Sequence, residues 1–295
     1  MKRHIIVGIG EILWDMFPDG PRFGGAPSNF SCSAAEIALG AAEVFMISAV
    51  GADDLGRQAV DALEQHGVDT TCVQIADQQT GQVRVELDPA GVASYRFAED
   101  TAWDNLTWNH ALQKLAHDCD VVCFGTLGQR SAGSRSTVQK FVRTTSENTL
   151  RILDVNLRSP CFDDDVILES LALANVLKLN DEELPRLASL CRVAGNDVEI
   201  LHQFAVQHQL RCVALTRGAD GAVIVYGDDV SDLPAMPTAI ADTVGAGDAF
   251  TAAMTLDLLA GRNVAQVNQS AIAAASWVCS QSGATPAFPA KIFRN

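Results

Sequence analysis

Positive charge is scarce in this chain: 21 lysines and arginines stand against 36 aspartates and glutamates, a net of −15. A surface of that sign repels phosphate backbones and anionic lipid, so no nucleic acid and no membrane is expected as a partner. Long apolar runs are missing too. No stretch approaches the ~20 apolar residues of a membrane span. The run 5–9, behind a basic start, is too short for a signal sequence and gives way at once to Glu11 and Asp15. A cytoplasmic protein is the expectation. No segment has the composition of disorder or low complexity. There is no glycine–lysine pair anywhere, which removes a Walker-type phosphate loop. Gly8-Ile9-Gly10 follows the first apolar run, but Leu13 stands where a dinucleotide fingerprint needs its third glycine.

The eight cysteines, Cys32, Cys72, Cys119, Cys123, Cys161, Cys191, Cys212 and Cys279, are scattered, mostly inside apolar runs. That is the pattern of reduced core thiols rather than of a disulfide framework. Cys119 and Cys123, with His117 beside them, form the only close group. Residues 121–124 read as a buried strand whose alternation turns neighbours apart, and a zinc site needs four converging ligands.

What is present is a strand–helix alternation. Across 295 residues, 48 % are hydrophobic and 19 % charged, enough for one large core. Apolar runs at 5–9, 44–50, 121–125, 151–155, 176–179, 212–216 and 222–225 read as strands. Between them, 28–39, 55–66, 134–145, 197–209, 247–259 and 264–280 carry helical periodicity. Continuous apolar strands separated by helices predict an α/β fold, a central mostly parallel sheet with helices on both faces. One region departs from this rhythm. Residues 81–87 and 92–97 alternate with period two around Asp88-Pro89-Ala90-Gly91, a half-exposed antiparallel hairpin. Residues 12–17, ending at Pro18-Asp19-Gly20-Pro21, add another strand. A small antiparallel β lid over a cleft, or a hairpin decorating the sheet edge, fits equally.

The most informative string is Asp242-Thr243-Val244-Gly245-Ala246-Gly247-Asp248-Ala249-Phe250. Glycines at a helix start let the backbone of Gly245, Ala246 and Gly247 present free N–H groups and the positive end of the dipole to an anion. Asp248, in the same first turn, can accept a proton from an attacking hydroxyl. A local nest of this kind also tells how so acidic a protein can hold a phosphate.

This string resembles the C-terminal signature of the ribokinase-like (PfkB) carbohydrate kinases, and the resemblance spreads along nearly the whole chain. Gly10-Glu11-Ile12-Leu13-Trp14-Asp15 is similar to the family's first strand, Gly24-Gly25-Ala26-Pro27-Ser28-Asn29 to its di-glycine motif, and Asp154-Val155-Asn156-Leu157-Arg158 to a strand end of its fructokinase-like branch. Asn180-Asp181-Glu182-Glu183 resembles its Asn-x-x-Glu motif. Thr216-Arg217-Gly218-Ala219-Asp220-Gly221 resembles the nucleotide turn, and 283–289 the segment closing the adenine side.

The resemblance implies a single ribokinase-like domain over 1–295, with lid strands at approximately 11–23 and 81–103. It implies ATP-dependent phosphorylation of a sugar hydroxyl, with D-fructose to fructose 6-phosphate expected first. A 2-keto-3-deoxygluconate kinase, a nucleoside kinase or a non-catalytic sugar sensor on the same fold are the alternatives. Asp248 would be the catalytic base and Gly245, Ala246 and Gly247 the anion hole. Asp15, Gly25, Asn29, Arg96, Asn156 and Arg158 would bind the sugar. Arg158 could instead pair with Asp163 or Asp164, and Arg96 with Tyr95 could form a cross-strand pair. Asn180, Thr216, Arg217, Gly218, Gly221, Gly245 and Gly247 would bind ATP. Asn180 and Glu183 would organise Mg2+ through water. Asp242, Val244, Val278, Gln281 and Gly283 would supply carbonyls to a potassium ion (K+), with Ala287 where a last side-chain ligand often falls. Ala102-Trp103-Asp104 also favours the fructokinase-like branch. Trp14, Phe17, Tyr95 and Phe97 could leave an apolar lid face for a homodimer.

Overall fold

The computed structural model describes residues 3–87 and 93–289. In chain order its strands are β1 (His4–Ile9), β2 (Leu13–Phe17), β3 (Gly20–Gly24), β4 (Ala42–Gly51), β5 (Val73–Ala76), β6 (Gly81–Leu87), β7 (Ala93–Phe97), β8 (Val121–Phe124), β9 (Leu150–Asp154), β10 (Val176–Asn180), β11 (Cys212–Thr216), β12 (Ala222–Tyr226) and β13 (Asp229–Leu233). The helices are α1 (Ala26–Ala38), α2 (Asp54–Gln65), α3 (His110–Asp118), α4 (Ala132–Thr144), α5 (Asp164–Leu173), α6 (Leu184–Cys191), α7 (Asp197–His208), α8 (Ala246–Leu259) and α9 (Val264–Cys279).

Nine strands form the main sheet in the order β13-β12-β11-β10-β9-β8-β1-β4-β5. Pairing is parallel from β5 across to β11, and β12 and β13 close that edge antiparallel. The central strands are buried on both faces, which is why they read as unbroken apolar runs. Val7, Phe124, Leu153, Leu177 and Val213 point to one side, into a core closed by α3 to α7 through side chains such as Phe141, Ile167 and Phe204. Their neighbours Ile6, Cys123, Ile152, Val176 and Cys212 point to the other, against α1, α2, α8 and α9 through Phe30, Leu63, Phe250 and Val267. Period-two alternation thus builds two cores on one sheet.

A second sheet of four strands has the order β3-β2-β6-β7. The pairs β2–β3 and β6–β7 are antiparallel, as the alternating segments predict, whereas β2 and β6 lie parallel. The expected turn at 88–91 lies outside the described residues. Two ties fasten this sheet to the larger one. Asp53, the N-cap of α2, accepts the Thr80 N–H at 2.9 Å and the Thr80 hydroxyl at 2.7 Å, just where β6 begins. Beyond β7, Arg130 donates to the Ala98 carbonyl at 2.6 Å while paired with Asp104 and stacked over Trp103.

Trp14, Phe17 and Phe97, from which an apolar lid face was expected, each pack within this chain. Trp14 is buried, donates to the Leu55 carbonyl at 3.1 Å and packs edge-on to Phe23. Phe97 packs with Leu13, Val83 and Trp103, and Phe17 is covered by the Arg22 guanidinium. The side chain of Tyr95 lies outside the described residues.

Candidate active site

Every parallel strand from β1 to β11 runs toward the same edge, and there the sheet delivers Asp154, Asn180 and Thr216. Helix α8 starts opposite them. Its N-cap is Gly245 at φ 80°, and a Cβ there would also lie 2.2 Å from the Ala284 carbonyl oxygen. Both constraints demand glycine. No side chain caps α8, so its first N–H groups stay open to an anion. At Gly247 the limit comes from below, since a Cβ would sit 3.0 Å from the Lys178 ammonium.

Asp248 is the third residue of α8. Its Oδ2 accepts a hydrogen bond from Asn29 Nδ2 at 2.9 Å, so the two expected halves of the site, sugar motif and anion hole, meet through one bond. Enclosure by protein raises the Asp248 carboxyl to about 7, the nearby Asp154 charge adds to the rise, and Asn29, Lys178 and Arg158 oppose it. A carboxyl held there is matched to proton transfer at neutral pH.

On the sugar side, Gly25 at φ 108° is the N-cap of α1, and a Cβ on it would strike the Glu11 carbonyl oxygen at 2.5 Å. A Cβ on Gly24 would lie 3.1 Å from Asp15 Oδ2, which fixes Asp15 beside the di-glycine. Burial raises the Asp15 carboxyl, and Arg158 and Arg22 pull it back. Asn156, half-buried, takes φ 42° just beyond β9. Arg158 is exposed and acts electrostatically on Glu11, Asp15 and Asp248. The acids once considered for it are taken: Asp163 pairs with Arg135 and Asp164 with Arg186. Arg96 has no hydrogen bond to this group among the described residues, but with Phe97, Pro160 and Cys161 it lines a cavity beside the loop that carries Asn156 and Arg158. It lies across from Arg84, whereas Val83, between Asp15 and Phe97, belongs to the opposite face of the small sheet.

On the nucleotide side, Gly218 and Gly221 take φ 52° and 88°, and Arg217 N–H closes the turn on the Gly221 carbonyl at 2.8 Å. Thr216 is half-buried at the end of β11, its hydroxyl 3.4 Å from the Leu179 carbonyl. The Arg217 guanidinium pairs with Asp197 and Asp232 and so steadies the turn.

Glu183 is buried, and its two oxygens accept the Leu157 and Asn180 N–H groups at 2.8 and 2.9 Å. Asn180 Oδ1 accepts the Glu183 N–H in return at 2.9 Å. This pair ties the Asn156–Arg158 loop to the end of β10. Among the described residues, no group of three or more His, Cys, Asp and Glu side chains converges as a metal site. Near α9, Asp242 accepts the Val244 and Gly283 N–H groups at 3.0 and 3.3 Å. The Val278 carbonyl already accepts the Gln281 N–H, and the Ala287 carbonyl accepts Trp277 Nε1. Of the carbonyls suggested for potassium, that of Val278 is the one these bonds engage.

Two functional neighbours escape the motif reading. Lys178, buried in β10, lies 3.1 Å from Asp154 Oδ1, and Asp154 Oδ2 accepts the Thr251 hydroxyl at 2.9 Å. A lysine inside an apolar strand is the signal that could have found it. Glu11, buried after β1, is the other.

An uncapped helix start with a near-neutral carboxyl, bonded to the di-glycine segment by Asn29, is an arrangement that suits a small-molecule kinase. The family model described as pfkB family carbohydrate kinase matches residues 20–291, so the chain belongs to that family. It is 30 % identical to a fructokinase of Klebsiella pneumoniae over 85 % of this chain and 83 % of that one. A fructokinase of Salmonella typhimurium is 29 % identical with the same coverage. Among solved structures, a sugar kinase of Pyrococcus horikoshii in complex with ATP superposes with a TM-score of 0.81 and 26 % identity, covering 95 % of this chain and 94 % of the other.

Proposed function

We propose that this carbohydrate kinase transfers the γ-phosphoryl group of ATP to a hydroxyl of D-fructose, giving fructose 6-phosphate. The bond between Asn29 and Asp248 carries the reading, because it sets the proton acceptor against the sugar wall. The fructokinase names of the Klebsiella and Salmonella relatives support the sugar, and the ATP complex of the Pyrococcus neighbour supports the donor.

Asp15, Asn29, Asn156 and Arg158 hold the sugar hydroxyls. The attacking oxygen forms its bond to the γ-phosphorus as the bond to the β,γ-bridging oxygen breaks. ADP leaves, and the hydroxyl proton passes to Asp248. Free N–H groups at residues 245–247 face the charge on the transferring group. Magnesium bound to the ATP phosphates would neutralise part of that charge. Asn180 and Glu183 contribute by fixing the strand end, and potassium is not required by this reading.

The test is ADP release with ATP and Mg2+ across fructose, 2-keto-3-deoxygluconate, ribose and nucleosides, run beside Asp248→Asn. Turnover on fructose that disappears in the variant supports the assignment. Preference for another acceptor moves the substrate, and turnover that survives in Asp248→Asn removes the base.

A further inference from the structure

A second buried carboxyl lies close to the base, and the reaction above leaves it unused. Glu11 follows β1 and is only 2 % exposed. Its Oε1 accepts the N–H of Ala26, the first residue of α1, at 3.2 Å. Its backbone carbonyl accepts the Ser28 hydroxyl, also at 3.2 Å. The other carboxyl oxygen, Oε2, is enclosed without a hydrogen-bond partner, and a Cβ on Gly128 would come within 3.3 Å of it. A shielded carboxyl with an idle oxygen costs stability, so its presence needs a cause.

Helix α1 supplies the connection. One residue of its first turn, Ala26, is held by Glu11. Three residues on, Asn29 holds Asp248, and Asn29 Oδ1 is itself buried without a partner. The turn is closed by the Asn29 N–H on the Gly25 carbonyl at 2.9 Å. We propose that Glu11 is a positioning residue for this reaction, acting on the base Asp248 through the first turn of α1 and through its own charge. The proposal rests on Asp248 being the base.

Charge reinforces the geometry. Burial pushes the Glu11 carboxyl up to about 7, the N–H groups of Glu11 and Ala26 pull it back, the Asp248 charge adds to the rise and Arg158 opposes it. Interaction between two charges is reciprocal, so an ionised Glu11 makes Asp248 a stronger base. The other groups around the pair are Asp154 from β9, Lys178 from β10 and Cys123 from β8, whose thiol burial keeps neutral. Two carboxyls that titrate in the same range, joined by one helical turn, let the protein set its base close to neutrality.

The side-chain amide of Asn29 reports the charge on Asp248 directly, so its NMR signal can be followed against pH without turnover. In the wild type it titrates with Asp248, and Asp248→Asn abolishes the titration. Glu11→Gln keeps the shape and removes the charge, and the midpoint moves down by about half a pH unit or more. The acid limb of kcat/KM moves with it. A midpoint in Glu11→Gln superimposable on the wild type overturns the proposal. Should that variant not fold, Glu11→Asp keeps the charge but withdraws it from Ala26. The sugar KM then rises and the Asn29 amide signal changes, and wild-type behaviour in both overturns the route through α1. A shifted midpoint in an enzyme that phosphorylates no sugar would sustain the coupling and sink the reaction, so the two failures are distinguishable.

Discussion

Lys178 and Asp154 form a buried ion pair, Nζ to Oδ1 3.1 Å, directly beneath the glycine nest. Both side chains are enclosed, and the carboxylate is shared with the hydroxyl of Thr251 from α8. The pair therefore bolts two sheet strands to the helix that carries Asp248.

Breaking that pair from one side should be costly. Lys178→Met leaves Asp154 as an uncompensated buried charge and is expected to lose about 3–5 kcal/mol of stability. Adding Asp154→Asn should restore a large part of the loss. Denaturant unfolding of both variants checks this, and a double variant as weak as the single one would contradict the pairing.

The two glycines of the nest should not be equivalent. Gly245→Ala places a side chain at positive φ and against the Ala284 carbonyl, so it is expected to lose both stability and activity. Gly247→Ala meets only the end of the Lys178 side chain, which can yield a few tenths of an ångström. Melting temperatures and ADP release should rank Gly245→Ala well below Gly247→Ala.

Activity should fall on the acid side with an apparent pKa of about 7, since Asp248 must be ionised to accept a proton. Asp248→Asn is expected to reduce kcat by about 10²–10⁴-fold while ATP still binds. Stability should respond in the opposite sense. The folded carboxyl holds its proton more tightly than the unfolded one, so the stability tied to it is present below about 4 and lost as pH rises through about 7. Asp248→Asn is thus expected to be more stable than the wild type at pH 8, with the gap closing toward pH 4. Parallel melting curves would show it.

At the root of the small sheet, Asp53→Ala removes the acceptor of the Gly56 and Thr80 N–H groups and of the Thr80 hydroxyl. A loss of about 1–2 kcal/mol is expected, as for other N-caps. The Asp53 carboxyl lies below its usual range, since the bonds from Thr80 and Gly56 outweigh its burial. Its contribution is therefore present above about 4 and disappears as pH falls through the depressed folded value. The sugar KM should rise more than the ATP KM, which steady-state kinetics with each substrate varied would reveal.

Sequence periodicity located seven strands of the main sheet and six of the helices that pack on it, because those elements are apolar on one or both faces. It did not locate the four-residue strand β5 or the nine-residue helix α3, nor α5, whose first turn holds Asp164 and Asp165 and reads as a polar loop, nor α6, which opens with Leu184-Pro185. The proline occupies the first turn, where its missing N–H costs nothing. Strand β13 is a polar edge and carries no alternating signal. At the site, a contiguous string carried Gly245, Gly247 and Asp248. Side chains that matter through tertiary contact were harder to place. Arg217 was expected to bind ATP, and its ion pairs with Asp197 and Asp232 were not legible because both acids are remote in sequence. Arg96 was placed at the sugar, and only the strand register shows which face it occupies.

The parallel pairing of β2 with β6 joins segments that leave the main sheet after β1 and after β5. No hairpin can form it locally, and its ends come together only once β1, β4 and β5 have assembled. Non-local pairings of this kind are intrinsically slow to form. Asp15 lies on β2, so the place of this carboxylate depends on a pairing between segments far apart in the chain, and a disturbance where β6 leaves Thr80 would be felt there.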